Sequence, residues 1–247
     1  MRRFARLEQL IGAERTAVLA GSHVAVIGLG AVGSYAVEAL ARSAVGRLTL
    51  VDFDVVSPSN LNRQLFALES TIGMAKTEVA RRRVLDINPQ CRVQVRHVFV
   101  DGGNVRDELS CRPDVIIDAI DVVASKVDLL REAVSMNLAV ISSMGAAARL
   151  DPSAVMVADI SRTRVCPLAR TIRKKLQRFG VRTGIRCVFS TESALNKLPV
   201  PDEDGEPLST GRSRAPIGSI CHMPAIFGLR AAAEAVSHIL GMNPAET

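Results

Sequence analysis

The chain has 247 residues, 48% of them hydrophobic, with 17 glycines, one tyrosine, no tryptophan and a formal net charge of +6. That is enough apolar material for one large core, as a single domain or a domain with an appendage, and the positive balance suits a polyanionic partner. Five cysteines at positions 91, 111, 166, 187 and 221 form no CxxC pair, which argues against a four-cysteine zinc site and suits a reducing, cytoplasmic setting.

Residues 1–20 are expected to form a short amphipathic helix, and MRRFARLEQL lacks the apolar run of a signal peptide. HVAVIGL (23–29) reads as a buried strand, followed by Gly28, Gly30 and Gly33 and then by a crossover helix, SYAVEALARSA, whose small residues allow close packing. RLTLVDFD (47–54) is a second strand, and SPSNLNRQLFA is a polar loop that turns helical. MAKTEVARRRVLDIN (74–88) is a helix that Pro89 stops. RVQVRHVFV (92–100) alternates as a strand, and PDVIIDAID (113–121) is a buried strand ending in Asp118 and Asp121. SKVDLLREAVSMN is helical, and LAVISSMGAAARL is a strand running into a glycine turn. This order predicts an α/β fold: a doubly wound, mostly parallel Rossmann-like sheet with helices on both faces.

After residue 150 the chain reads as a C-terminal α+β extension of the same globular unit. SAVMVADI (153–160) and IRCVFSTES (185–193) are expected strands, and PLARTIRKKLQRFG (167–180) is a basic helix closed by glycine. Residues 196–216, rich in proline, glycine and charge, are expected to be a mobile loop. ICHMPAIFGLRAAAEAVSHIL is apolar but contains Arg230, Glu234 and His238, so it reads as a packed helix and not a membrane span.

GLGAVG fits the phosphate-binding GxGxxG pattern, with a strand before it and a helix after it. Asp52, at the tip of the second strand, stands where an acid would bond a ribose hydroxyl. A NAD enzyme would share both features, and a plain tight turn would share the first. SNLNRQ (59–64) adds Asn60, Asn62, Arg63 and Gln64 on one loop, and Lys76 opens the next helix. Arginine and lysine beside a phosphate loop suit a triphosphate, and an opposing acid suits Mg²⁺, which takes oxygen ligands. Taken singly, Arg63 and Lys76 could be solvated charges and Asp118 a strand cap.

GLGAVGS, VDFDVVSPSNLNRQ, GMAKTEVARRRVLDINP and DAID together resemble the adenylating family that includes ThiF, MoeB and the ubiquitin-activating enzymes, over about residues 5–150. The resemblance implies an ATP-binding adenylation domain over 1–150. By matching position it implies ATP at Gly28, Gly30 and Gly33, its ribose at Asp52, its phosphates at Asn60, Arg63 and Lys76, and Mg²⁺ at Asp121. Arg63, Lys76 and Asp121 are then the residues expected to carry the chemistry, by positioning groups and stabilising charge. An N-terminal arginine of the family commonly reaches the partner subunit's ATP, a place open here to Arg3 or Arg6.

Two substrate classes occur in that family: the C-terminus of a ubiquitin-like sulfur carrier, and a small carboxylate on a tRNA base. The sulfur-carrier enzymes usually hold two CxxC pairs, absent here. SRTRVCPLARTIRKKLQRFGVRTGIR (161–186) is crowded with Arg and Lys and has no Asp or Glu, a charge run that attracts a phosphate backbone. Arg173, Lys174, Lys175 and Arg178 are its candidate tRNA-binding residues, with a solvated helix as the plain alternative. RVCPLARTIRKKLQRFGV, IRCVFSTE and PIGSICHMPAIFGLRAAAEAVSHIL resemble the tRNA threonylcarbamoyladenosine dehydratase subfamily. That resemblance implies ATP-dependent activation and cyclisation of the modified base at position 37 of the anticodon loop by a homodimer, helped by a cysteine desulfurase system. The loop 196–216 is longer and more polar than the subfamily leads one to expect, and with ends at Ser193 and Pro216 it is expected to form a flap over the tRNA end of the site. Cys187 and Cys221 both read as buried structural thiols, with no catalytic role assigned, and His23, His97, His222 and His238 as structural.

Overall fold

A computed structural model describes residues 3–195 and 217–242. Two helices lead in where the sequence suggests one, α1 (Ala5–Ile11) and α2 (Ala13–Gly21). Gly12 separates them at φ +88°, a left-handed conformation that costs glycine little.

Seven strands follow: β1 (His23–Ile27), β2 (Arg47–Val51), β3 (Arg92–Arg96), β4 (Val115–Asp118), β5 (Val140–Ser143), β6 (Val155–Asp159) and β7 (Arg186–Ser190). They form one sheet in the order β3-β2-β1-β4-β5-β7-β6, parallel except for the β6–β7 pair. Strands from beyond residue 150 thus extend the same sheet, β7 pairing with β5 and β6 closing the far edge. The helices are α3 (Gly33–Arg42), α4 (Lys76–Ile87), α5 (Val105–Glu108), α6 (Val123–Ser135), α7 (Pro167–Gln177) and α8 (His222–Ile239). The one-turn α5 has no counterpart in the sequence reading.

The side-chain period of two splits β1 between two cores. Val24 and Val26 join the cluster with Val37 and Leu40 of α3 and Phe227 and Ala231 of α8. Ala25 and Ile27 join the one with Leu129 and Leu130 of α6 and Ile172 and Leu176 of α7. A central strand covered on both faces needs the unbroken apolar run that the sequence shows. α8 lies so close to α3 that a Cβ on Gly228 would stand 2.2 Å from the Val32 carbonyl oxygen.

Every expected strand is present, and several are shorter than the apolar pattern suggests. The run 113–121 is strand only over Val115–Asp118, and 47–54 only over Arg47–Val51. The surplus residues at the carboxyl ends leave the ladder and become loops. β3 ends at Arg96 instead of 100 because it is an edge strand with one partner. The expected flap over 196–216, including its end at Pro216, lies outside the described residues.

His23 opens β1 with its ring buried and Nε2 2.9 Å from Thr49 Oγ1. Burial, with repulsion from Arg47, pushes its pKa down from 6.5 to about 4, against an opposing pull from Asp114. The unfolded chain therefore takes up a proton near pH 6.5 that the folded chain refuses until about pH 4. Stability from this residue is complete above pH 6.5 and is lost as the pH falls toward 4. Thermal melting of wild type should decline more steeply across that window than melting of His23→Gln; parallel slopes would contradict the assignment.

Candidate active site

Strand order reverses beside β1: β2 and β3 lie on one side of it and β4 on the other. Such a switch point opens a crevice at the carboxyl ends of the strands, and the turns after β1, β2 and β4 all meet there.

The three glycines of the first turn answer different demands. Gly28 has φ +92°, and a Cβ there would lie 2.8 Å from the Ala119 carbonyl oxygen and 3.2 Å from the Ile120 nitrogen. A Cβ on Gly33 would lie 1.8 Å from the Gly28 carbonyl oxygen. Both positions are therefore dictated by backbone lying on backbone. Nothing closer than Gln64 Nε2, at 3.9 Å, would meet a Cβ on Gly30, so packing within the chain does not require glycine there.

Asp52 is nearly buried just past β2, and its carboxylate braces this turn. Oδ2 accepts the Leu29 N–H at 2.6 Å and Oδ1 the Asp54 N–H at 2.8 Å. Burial pushes its pKa up; the Lys76 ammonium and the two backbone donors pull it back. Each oxygen retains a further lone pair for a hydroxyl. Lys76, at the start of α4, is only 5% exposed and pairs with Asp54 at 2.9 Å. Asp54 was not singled out from sequence. The signal was the spacing of two acids in VDFD, which puts alternate residues on one side of an extended chain.

The SNLNRQ segment folds as a 3₁₀ turn, Pro58–Asn60, followed by further turns. Asn60 caps its own turn, accepting the Ser57 N–H at 3.3 Å and donating to Ser59 Oγ at 3.4 Å. Arg63 is half-buried and donates to the Ser59 carbonyl at 2.7 Å and to Asn62 Oδ1 at 2.9 Å. Burial lowers its pKa and the charge of Asp121 raises it. Asn62 donates to the Ser219 carbonyl at 3.2 Å, which ties this loop to the segment before α8. Among the described residues no three His, Cys, Asp or Glu side chains come together as a metal cage.

Asp118 does not face the crevice. It is fully buried, as is Lys126, and the two form an ion pair at 2.8 Å. Cys187 is also fully buried, and burial holds its thiol well above the usual range. Cys221 departs from the expectation of a buried thiol: it is exposed at the start of α8, with Sγ 2.9 Å from Tyr35 Oη. Cys221 follows the glycine turn PIGS and ends a loop, whereas Cys187 lies inside a central strand. Tyr35 has its pKa raised to about 12 by burial and by its hydrogen bond with Cys221.

On α7, Arg170, Lys174 and Lys175, with Arg178 at its carboxyl end, are exposed on the face away from Ala169, Ile172 and Leu176, which are buried. Arg173 does not join that face. Its guanidinium donates to the carbonyls of Ile160 and Thr163 and to the Thr163 hydroxyl, bracing the turn that precedes the helix. The helical period decides this: Arg173 sits on the flank, four residues after Ala169. Phe179 is exposed at the far end, with the Arg131 guanidinium 5.1 Å from its ring centroid. At the N-terminus Arg3 donates to the Ile87 carbonyl at 2.8 Å, while Arg6 is exposed on α1.

A model of the ThiF family matches residues 3–247. The tRNA threonylcarbamoyladenosine dehydratase of Bacillus subtilis is 39% identical over 231 residues, 93% of this chain and 91% of its own length. The crystal structure of E. coli tRNA N6-threonylcarbamoyladenosine dehydratase in complex with ATP is similar at TM-score 0.87 and 34% identity, covering 97% of this chain and 94% of that one. The molybdopterin-synthase adenylyltransferase of E. coli is 35% identical, but over 54% of this chain and 52% of its own length.

The glycine geometry makes a contrast that urea unfolding can read. Gly33→Ala should cost on the order of 3 kcal/mol through overpacking, whereas Gly30→Ala should stay within about 1 kcal/mol of wild type. Equal midpoints would remove the packing argument.

Proposed function

The chain belongs to the ThiF family, and from that membership we propose that it is an ATP-dependent dehydratase acting on threonylcarbamoyladenosine at position 37 of tRNA. The carboxylate of the modified base attacks the α-phosphorus of ATP, and pyrophosphate leaves. The carbamoyl oxygen then attacks the activated carbonyl carbon. AMP departs with the former carboxylate oxygen, an N–H proton of the carbamoyl group is released, and the base is left cyclic. The observation that carries this reading is the extent of the likeness. The B. subtilis dehydratase aligns with 93% of the chain, while the sulfur-carrier-type adenylyltransferase aligns with 54%.

The crevice supports the same chemistry. Gly28, Gly30 and Gly33 let phosphates approach the amino end of α3, where backbone N–H groups favour an anion. Asp52 takes the ribose, and Asn60, Arg63 and Lys76 take the phosphates. The two bonds Asn60 makes at present are long and readily exchanged for a ligand oxygen. Arg63 and Lys76 are already held by neighbours, so little reorganisation is needed when charge develops on the phosphates. Asp121 would hold Mg²⁺, which would neutralise charge on the phosphates. A single exposed carboxylate beside the glycine turn fits that ion, since Mg²⁺ is commonly bound by one or two carboxylates together with phosphate.

The outward cations of α7, with Arg162, Arg164 and Arg182 close by in sequence and also exposed, form the tRNA surface. Phe179 adds an aromatic face of the kind on which unpaired bases stack. The same reading makes the enzyme a cytoplasmic homodimer working beside a cysteine desulfurase system. Arg6 is better placed than Arg3 to reach the partner's nucleotide, because Arg3 is tied to Ile87.

ATP–pyrophosphate exchange dependent on threonylcarbamoyladenosine-containing tRNA, with mass spectrometry of the nucleosides, tests the reaction. Exchange that responds instead to a protein ending in Gly-Gly would replace this substrate with a sulfur carrier. Arg63→Ala should lower exchange by on the order of 10²-fold, as does loss of one charge-stabilising donor elsewhere, and Asp121→Ala should be comparably impaired, both with unchanged melting. Near-normal turnover in either displaces the phosphate and metal assignments.

Replacing Lys174, Lys175 and Arg178 by Gln should weaken tRNA binding and flatten its salt dependence. The log–log slope should fall by roughly 0.7–0.9 for each phosphate left without its cation. An unchanged slope would make the helix a solvated face. Arg173 is left out of this set because its loss would disturb the turn it braces.

A further inference from the structure

Lys126 lies on the first turn of α6 with no solvent exposure. Its ammonium donates to two acceptors, Asp118 Oδ2 at 2.8 Å and the Ile120 carbonyl at 2.9 Å. Asp118, equally buried, accepts the Ser142 hydroxyl at 2.6 Å through Oδ2 and the Ile120 N–H at 3.1 Å through Oδ1. Both peptide planes that flank Ile120 are thereby gripped by one ion pair, the first by the carboxylate and the second by the ammonium.

Those two planes face different parts of the crevice. The 119–120 peptide is the surface on which Gly28 lies, within the 2.8 and 3.2 Å approaches given above. The Ala119 N–H also bonds to the Ile27 carbonyl at 2.8 Å. The 120–121 peptide leads directly into Asp121. The pair therefore joins the glycine turn, the 119–121 turn and the start of α6 into one rigid unit.

An interior ion pair is an expensive way to hold a fold together, because both ions must leave water, and apolar replacements of similar volume are often neutral or stabilising. A plain core position between β4 and α6 would be served by apolar residues. The polar solution is needed where two backbone planes must be fixed at once, since a methionine at 126 has no hydrogen to donate to a carbonyl.

We propose that Lys126 is a positioning residue, whose ammonium, braced by Asp118 and Ser142, sets the place of Asp121 relative to the glycine turn. The proposal rests on the role of Asp121 given under the proposed function. Lys126 touches no substrate; it acts through the 120–121 peptide.

Three variants test it: Lys126→Met, the pair Asp118→Asn with Lys126→Met, and Ser142→Ala. Lys126→Met strands a buried carboxylate and should lose stability as well as function. The pair variant removes both charges and should recover melting temperature. If Lys126 positions Asp121, the pair variant should still show roughly tenfold or greater loss in affinity for ATP measured with saturating Mg²⁺, the range seen when residues supporting a metal ligand are removed. Its affinity for ATP with EDTA present should change little. Ser142→Ala keeps both charges, and should shift the Mg²⁺-dependent affinity in the same direction by a smaller factor even if the pair variant does not fold.

Wild-type Mg²⁺-dependent affinity in a folded pair variant, or in Ser142→Ala if the pair variant does not fold, would overturn the proposal and leave the ion pair a structural device. These measurements need no turnover and no tRNA, so they stand or fall apart from the identity of the carboxylate substrate. Exchange measured on the same proteins supplies the second reading. A drop in kcat that accompanies the loss of Mg²⁺-dependent affinity supports positioning, and full exchange activity in the pair variant opposes it. If wild type binds ATP equally with and without Mg²⁺, the assignment of Asp121 itself fails, and the proposal with it.

Discussion

The crevice depends on backbone lying directly against backbone. The turn after β1 can bend as it does only because Gly28 presents no Cβ to the Ala119–Ile120 peptide, and Gly33 none to the Gly28 carbonyl. The Asp52 carboxylate pins the same turn from the other side through the Leu29 N–H. The amino end of α3 is thus clamped between β2 and β4. A side chain at Gly28 or Gly33 would push these elements apart and move the start of α3 with them.

Charge is then laid over that frame in pairs. Lys76 is held by Asp54 and acts on Asp52 as well. Arg63 is tied to two oxygens of its own loop and senses Asp121. Lys126 and Asp118 lie beneath, wholly out of solvent. The first two cations line the crevice, Lys76 nearly buried and Arg63 half-buried, and each is held by its neighbours. The third is rigid, because breaking a buried pair leaves an uncompensated charge.

The second half of the chain completes both ends of the molecule. β7 and β6 extend the sheet, α8 covers the face shared with α3, and the segment before α8 is tied to the SNLNRQ loop through Asn62 and Ser219. α7 turns one face to the core and sets its outward cations on the other. The crevice and the basic face of α7 thereby belong to one body built on one continuous sheet.

Elements whose character is written in local periodicity were legible without a structure. The apolar run 23–29, the small-residue helix after it and the alternation at 92–96 follow from side-chain direction alone, and the sequence motifs point to the turns that meet at the crevice, though not to Asp54, which holds Lys76 there. What pairs with what was decided only by the tertiary fold. Asp118 and Asp121 look alike in DAID, yet the pleat sends one into the core toward a lysine on the next helix, while the turn leaves the other exposed. Arg173 and Lys174 are neighbours in one basic run, yet a rotation of about 100° around the helix axis turns the first back onto carbonyls and the second to solvent. Cys187 and Cys221 are both expected to be buried, yet one sits in a central strand and the other, after the glycine turn PIGS, is exposed at a loop end. Local sequence fixes which way a chain can turn; the partner that meets each side chain comes from segments tens of residues away, and no local pattern records it.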